Sequence, residues 1–557
     1  MALLQEIKIE PRDRRLLLAF GAAGLTIMAL GGAFALLMLL VRTPALSVFS
    51  ASRYYQAITG HSLMMFIFWL GFIQTAFLIS AGTVLIRRRL WSYRLAWAGW
   101  TVMVTAVVLA LLGVWRGASV TYHALMPLSQ QYDGAWLVYL SFIVLAAGMS
   151  LIVLDFIATI LGAVDRKLSI SSWASFFQRI PISTFAAICG LLIAIPGLVA
   201  AFKIFIPAFL LTLGGGPVDA LTANLYRLNW HIVFHIYHYM PALALVGVAY
   251  VLVELTTDAS SVYAKQVAKG LFLLYPFFVP PTFVYHLLID PNLTYNVKFV
   301  GSSLSLLVGV PTVLHMFIIV GMLEARMRRA GYGFLTWFRH LPWTNPAFGS
   351  LAMGMVTLFV GGLLAYVLIQ EQLAPTLHNT FVVPAYIHPM AAGGANIMYM
   401  GALYYAVPAL FGRRLWGLPL ARVQPYLMGA ALITMSIFGA IAGLAGVPRR
   451  YADIGDSTPV SWTLWLNLSL GLGGLLAVAS GVLFVTVMAM TVLKGQKAMS
   501  LEDATREIKP LALPDKIDHR RTVAALVPSS LFIVSVLVLT LWAFGHLWDL
   551  PVRFQTR

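Results

Sequence analysis

The chain has 557 residues, of which 60% are hydrophobic and only 10% are charged, and its mean hydropathy is +0.86. A water-soluble globular protein needs a polar surface that this composition does not supply, so that class is excluded. The net charge of +17 is interpreted as membrane topology together with contact to the anionic headgroups of the lipid bilayer, and no nucleic acid is expected as a partner. The composition indicates a polytopic membrane protein.

Apolar stretches of about 20 residues or more, each long enough to cross roughly 30 Å of hydrocarbon, recur along the whole chain. They predict an all-α membrane protein, a single domain over residues 1–557 built as a bundle of about thirteen transmembrane helices. The amino-terminal segment lacks the pattern of a removable signal, so its apolar stretch is expected to remain as the first helix. The predicted spans are 15–41, 55–86, 95–115, 134–163, 181–212, 228–253, 269–289, 301–324, 347–370, 382–411, 424–446, 462–493 and 523–547.

Most lysine and arginine residues lie before the first span or after even-numbered spans. Basic residues are enriched in cytoplasmic loops, so we expect the amino terminus in the cytoplasm and the carboxyl terminus outside, in the cell (plasma) membrane. The single cysteine, Cys189, has no partner for a disulfide or a thiolate cluster and is expected only to pack. No phosphate-binding loop or dinucleotide fingerprint is present, which argues against an ATP-driven pump and a nicotinamide enzyme.

Four histidines are predicted to lie at a similar depth in the membrane. His61, His235 and His388 are each about six residues into spans that run inward, and His286 is about seventeen residues into a span that runs outward. Histidines within a membrane are candidates for function, and four in one layer indicate a metal or haem site. The alternative is that each is a core histidine with a hydrogen-bond partner. Tyr386, two residues before His388, is about 200° away around the helix, so this helix faces two different neighbours.

Six motifs carry a family resemblance over nearly the whole chain: TGHSLMMFIFW, FHIYHYMPA, VPPTFVYHLLIDP, RHLPWTNPAFG, HNTFVVPAYIHP and GVPRRY. With them the chain resembles subunit I of the haem-copper oxidase superfamily, and in particular the B-type cytochrome c oxidases. The resemblance implies a subunit of a membrane respiratory complex that moves electrons through haem b toward a centre where dioxygen is reduced.

The resemblance places a low-spin haem b between His61 and His388. Two imidazoles saturate the iron, so such a haem passes electrons without binding gas. Arg449 and Arg450 match the arginine pair that contacts the haem propionates in the family. A guanidinium can donate two parallel hydrogen bonds to a carboxylate such as a propionate. The alternative for this pair is an ordinary basic loop.

The catalytic pocket of the family uses three histidines for copper, a tyrosine linked to one of them, and a histidine below a second haem. Here His235 and Tyr239 keep the family spacing. Tyr285 precedes His286 at the place where the family has two successive histidines. Tyr386 stands where the family has the histidine that binds the second haem. A phenol weakens a copper site, and on haem iron it stabilises the ferric state. Tyr239, Tyr285 and Tyr386 are therefore the catalytic candidates, and the second haem and the copper stay open.

Other family positions are kept unevenly. His231 and His238 lie near His235 on one helical face and are possible substitutes for the missing imidazole; the alternative is that they bond to neighbours or face a lumen. His378 and Asn379 match contacts to the propionates of the second haem, but the acidic residue of the family is Ala374 here.

Tyr250, Thr312 and His315 lie where the proton path of the family runs and are candidates for a relay, unless they only join helices. No copper-binding cysteine motif is present, so the electron donor must bind another membrane subunit. Expected donors on the outer side are a cytochrome c, a cupredoxin or quinol. One alternative function is a non-catalytic haem b relay linked to quinone. A second is nitric oxide reduction, but the absence of added intramembrane glutamates counts against it. A third is transport.

Overall fold

A computed structural model of the chain describes residues 9–46, 48–120, 128–164, 169–214, 220–259, 265–288, 293–370, 373–451, 459–509 and 511. These residues form helices and connections, with two isolated β-bridges and no β-strand among them. Ten of the helices in this part are long and apolar enough to cross a membrane. The predicted all-α class is confirmed, and the chain is a multi-pass membrane protein.

The amino-terminal half contains long helices joined by short connections. A π-helical segment, π1, covers Ser62–Trp69 and joins α2 to α3. The helices are α1 (Pro11–Arg42), α2 (Ala51–His61), α3 (Leu70–Gly82), α4 (Tyr93–Trp115), α5 (Ala135–Ala163), α6 (Ile170–Arg179), α7 (Ile182–Thr212) and α8 (Ala220–Thr257).

The carboxyl-terminal half has two further π-helical segments, π2 (His388–Ile397) and π3 (Asn467–Gly474). Its helices are α9 (Lys265–Phe272), α10 (Tyr275–Phe278), α11 (Tyr295–Arg329), α12 (Pro346–Ile369), α13 (Ala374–Leu377), α14 (Val382–Ile387), α15 (Met398–Phe411), α16 (Leu418–Leu444), α17 (Val460–Leu466), α18 (Leu475–Lys494) and α19 (Leu501–Ala504).

Four predicted spans are not regular α-helices: 55–86 contains π1, 462–493 contains π3, and the spans at 269–289 and 382–411 are interrupted as well. The span at 269–289 consists of α9, α10 and a 3₁₀ segment at Pro280–Leu287, because Pro276, Pro280 and Pro281 cannot donate helical hydrogen bonds. The span at 382–411 consists of α14, π2 and α15. The span at 523–547 lies outside the described residues, so the count of thirteen stays a prediction.

Close packing between the helices depends on small residues. In the pair α4 and α5, a Cβ atom added to Gly134 would overlap the carbonyl oxygen of Gly113, so only glycine fits where the two backbones meet. Cys189 is a buried free cysteine within α7, as expected from the sequence.

Three ion pairs between described residues lie at one end of the bundle, and we call it the basic end. The segment after α18 is held there, because Arg414 forms a salt bridge of 2.6 Å with Asp503 and Leu511 N–H donates to Thr256 O at 3.0 Å. The Met499 N–H and then the Arg414 guanidinium lower the pKa of Asp503. The other ion pairs at this end are Arg89 with Glu10 and Lys509 with Glu502.

Candidate functional site

His61 and His388 face each other across the bundle. His61 is the last residue of α2 and His388 is the first of π2, and their ring centroids are 6.4 Å apart with the ring planes within 9° of parallel. His61 Nδ1 is 3.0 Å from Gly31 O, and His388 Nδ1 is 2.8 Å from Pro384 O. Both imidazoles are thus oriented by backbone carbonyls.

These contacts leave both rings in the form that binds a metal. An Nδ1 that faces a carbonyl oxygen carries the proton, so Nε2 of each ring keeps its lone pair. An ion held by two opposed imidazoles at about 2 Å from each nitrogen places the ring centroids roughly 6 Å apart. The observed spacing of 6.4 Å fits the bis-imidazole haem predicted for this pair.

Each of these histidines adjoins a π-helical segment. Pro389 follows His388 and has no N–H to donate to Ala385 O, the bond that a regular α-helix would make. The hydroxyl of Ser436 on α16 donates to Ala385 O instead, at 2.7 Å, and both residues are fully buried. The neighbouring helix therefore compensates for the irregular helix at His388.

A second contact joins the two histidine helices further along the chain. Trp69, eight residues after His61, donates its indole N–H to Asn396 Oδ1, eight residues after His388, at 2.8 Å. Trp69 is 1% exposed and Asn396 is 3% exposed. This buried hydrogen bond fixes the spacing of the helices below the imidazole pair.

Arg449 and Arg450 lie where two loops meet. Arg449 N–H donates to Asn379 O at 3.1 Å, and Arg449 is buried. Arg450 has a φ of 64°, a left-handed conformation that non-glycine residues adopt mainly where the surroundings impose it. His378 lies in the same pair of loops, where burial, followed by the Arg449 charge, lowers its pKa to about 3.

Arg42, at the end of α1, joins this group although the sequence did not single it out. Its guanidinium donates to Pro448 O and to the Tyr54 hydroxyl, and it lies over the rings of Tyr54 and Phe381. It is 3% exposed, and no carboxylate of the described residues lies within ion-pair distance. A buried arginine without an acid was detectable in the sequence only as a lone basic residue at the end of a span.

The structure brings four other histidines together. The His286 ring lies 5.2 Å from His231, 5.4 Å from His235 and 5.9 Å from His378, measured between centroids. Tyr239 is next to His235, with centroids 4.8 Å apart, as the spacing of four predicted. The side chains of His238 and Tyr285 lie outside the described part of the structure.

Three observations describe the chemistry of this cluster and of Tyr386. Among the described residues, no group of three or more His, Cys, Asp or Glu side chains has a geometry that would hold a metal ion. His235 Nε2 is in contact with the Thr282 hydroxyl. Tyr386 is 5% exposed and packs with Leu368, Leu377 and Val382, on a different face of its helix from His388.

The predicted proton-path residues form two hydrogen-bonded pairs. Tyr250 OH is 2.9 Å from His315 Nδ1, and Thr312 Oγ1 is 2.8 Å from the hydroxyl of Tyr275. The Tyr275 and His315 rings lie parallel, with centroids 6.2 Å apart, which brings the two pairs side by side. Tyr275 was missed in the sequence, where a tyrosine in an apolar span gave no distinct signal.

The fold and these imidazoles define a helical, multi-pass membrane protein with paired histidines inside the bundle. A family model described as "Cytochrome C and Quinol oxidase polypeptide I" matches residues 15–476. The chain belongs to this family, subunit I of the haem-copper oxidases. Members are oxidoreductase subunits of electron-transport complexes and generally bind haem and copper.

Individual relatives are similar over different lengths. Cytochrome c oxidase subunit 1 of Thermus thermophilus is 27% identical over 511 residues, which cover 88% of this chain and 85% of the relative. Cytochrome c oxidase subunit 1 of Albinaria turrita is 34% identical over 155 residues, which cover 28% of this chain and 75% of the relative. A heme-copper terminal oxidase dimer solved by cryo-EM matches with a TM-score of 0.79 at 20% identity, over 94% of this chain and 92% of the other, and supports the fold.

Proposed function

We propose that this chain is the subunit of a respiratory oxidase complex that carries electrons through a low-spin haem b held by His61 and His388. The observation that carries this proposal is the pair of facing imidazoles, 6.4 Å apart and nearly parallel, with both Nδ1 atoms on backbone carbonyls. Haem b with two imidazole ligands supplies one-electron transfer and no site for a gas ligand.

The residues around this pair do three things. Gly31 O and Pro384 O orient the two imidazoles through their Nδ1 atoms, which leaves both Nε2 atoms available to the iron. Arg449 and Arg450 offer guanidinium groups to the carboxylates of the haem. Fully buried side chains, among them Trp69, exclude water from the inner side.

The second centre is proposed to be altered relative to the family. Tyr386 lies in an apolar cluster where the family has a haem ligand, and no group of three or more described His, Cys, Asp or Glu side chains has a geometry that would hold a metal ion. These observations favour a haem b relay as a second candidate function, with dioxygen reduction as the reaction that family membership implies. Tyr250, His315, Thr312 and Tyr275 are proposed to pass protons between their hydroxyl and imidazole groups toward this centre.

The surroundings follow from the distribution of basic residues and from the family. We place the basic end in the cytoplasm of a cell whose plasma membrane holds the chain, and the carboxyl terminus outside. Electrons enter from another membrane subunit that receives them from a cytochrome c, a cupredoxin or quinol.

The experiment is the spectrum of the His61→Ala variant in the purified complex. We expect loss of the low-spin band in the reduced-minus-oxidised spectrum, because the iron loses one of its two ligands. His340→Ala is the matched control, since His340 is exposed in a connection and stacks only on Tyr332. An unchanged low-spin band in His61→Ala would refute the assignment.

The metal content of the wild-type complex distinguishes the two functions. One haem per chain, no copper and no carbon monoxide binding would support the relay. Two haems, one copper and a carbon monoxide difference spectrum would support oxygen reduction and contradict the altered second centre.

A further inference from the structure

The connection between α11 and α12, residues 330–345, combines basic and apolar side chains at the basic end of the bundle. From residue 325 to residue 345 the chain contains no aspartate or glutamate. The basic side chains in this stretch are Arg326, Arg328, Arg329, Arg339 and His340. Its four arginines outnumber Glu324, which immediately precedes the stretch, so the local charge is positive.

The backbone of this connection is fixed by hydrogen bonds. Gly331 has a φ of +99°, and its N–H donates to Arg328 O at 3.0 Å, which ends α11 in a turn that favours glycine. The Trp343 indole donates to Phe338 O at 2.8 Å, and Tyr426 OH on α16 donates to Trp343 O at 2.6 Å. The connection is thus a defined surface attached to the bundle.

Large apolar side chains of this surface point away from the protein. Leu335 is 74% exposed, and Phe334, Phe338 and Trp343 are 40–47% exposed. In water such a group is unfavourable, whereas aromatic side chains are enriched at the boundary between headgroups and hydrocarbon. The surface therefore suits a membrane boundary.

Two arginines lie against these rings. The guanidinium carbon of Arg328 is 5.6 Å from the centre of the Phe334 ring, and that of Arg339 is 5.8 Å from the centre of the Phe338 ring. Arg328 Nε is buried and has no hydrogen-bond partner in the described part of the chain. A ring face attracts the cation but leaves its N–H donors unsatisfied.

We propose that this connection binds an anionic phospholipid, with its phosphate on Arg328 and Arg339 and its acyl chains along Phe334 and Leu335. Guanidinium groups bind phosphate oxygens through paired N–H donors. The exposed apolar side chains next to them match the chains of the same molecule. This site is independent of the haem proposal, because none of its residues contacts the histidines described above.

The test measures lipid binding to the purified full-length protein by native mass spectrometry. Phosphatidylglycerol and phosphatidylcholine of equal chain length are titrated in the same detergent, and we expect the anionic lipid to bind more tightly, with a preference that decreases with salt. Each guanidinium near an anionic headgroup is expected to change the affinity by about fivefold, so the double variant Arg328→Gln, Arg339→Gln should bind phosphatidylglycerol roughly 25-fold more weakly. Its affinity for phosphatidylcholine should fall by a smaller factor, because the choline cation of that lipid offsets the charge of its phosphate.

Arg94→Gln is the matched control, because Arg94 is an exposed arginine at the same end of the bundle. If the double variant does not fold, the proposal is still tested by the wild-type protein, whose preference for phosphatidylglycerol over phosphatidylcholine should decrease with salt. The proposal would be overturned by equal affinity of the wild-type protein for the two lipids or by a preference that does not change with salt. It would also be overturned if the double variant bound phosphatidylglycerol as tightly as the wild type. So would a photocrosslinker at Leu335 that labels a protein subunit of the native complex instead of lipid.

Discussion

Replacing Ser436 by alanine tests how the helix at His388 is stabilised. The Ser436 hydroxyl donates to Ala385 O, which cannot receive the usual helical bond because residue 389 is proline. Both Ser436 and Ala385 are 0% exposed, so water cannot take over. A buried acceptor that loses its donor costs about 1–3 kcal/mol, and we expect the free energy of unfolding to fall by that amount.

Ser469→Ala is the matched control for this change. Ser469 is equally buried and donates to Met435 O at 2.8 Å, but Met435 lies in the regular helix α16, where the Gly439 N–H also reaches that carbonyl. The control should therefore lose only about 0.5–1.5 kcal/mol. Denaturant unfolding in detergent measures both variants, and the reduced low-spin band reports whether His388 keeps its position. Equal losses would contradict the reasoning and would mean that another donor, such as Met390 N–H, satisfies Ala385 O.

Two further predictions concern charged residues. Arg42→Gln should lower the midpoint potential of haem b while keeping its low-spin band, because a nearby positive charge favours the reduced form of the haem. Redox titration measures the potential, with the exposed Arg53→Gln as the control. Identical potentials in the two variants would contradict the prediction. Asp503→Asn should speed proteolysis of residues 494–509 at neutral pH, with Glu502→Gln as control. The pKa of Asp503 is lowered in the folded chain, so its carboxylate stabilises the segment fully at a pH above the unfolded pKa of about 3.9. This stabilisation is lost as the pH falls through the folded pKa. At low pH the wild-type segment should therefore be cleaved about as fast as that of the variant.

Hydrophobicity and periodicity were sufficient to predict the fold class, because the length of an apolar run is set by the membrane. They also predicted that His61, His235, His286 and His388 lie at a similar depth, but the pairing of His61 with His388 came from the family resemblance and not from the periodicity. The spacing of four between His235 and Tyr239 places them on one helical face, and the structure has them in contact.

Other features depend on contacts between distant parts of the chain. The bond from Ser436 to Ala385 and the position of Arg42 beside Pro448 join residues far apart in sequence, which no local pattern encodes. The interruption of the helix at 269–289 was not predicted, because an apolar run alone does not distinguish a broken helix from a straight one. The role of Tyr275 as the hydrogen-bond partner of Thr312 could not be predicted from the sequence either, because tyrosines are common in apolar spans.

For the haem b site proposed above, the hydrogen bond between Trp69 and Asn396 bears on the rate of electron transfer. The two histidine helices are joined at the imidazole pair and again eight residues further along, so each helix is held at two levels. This buried bond resists a change in the spacing of the two imidazoles when the charge of a bound iron changes. The reorganisation energy of the haem site should therefore be small, and Trp69→Phe, which removes the N–H but keeps most of the ring, should raise it.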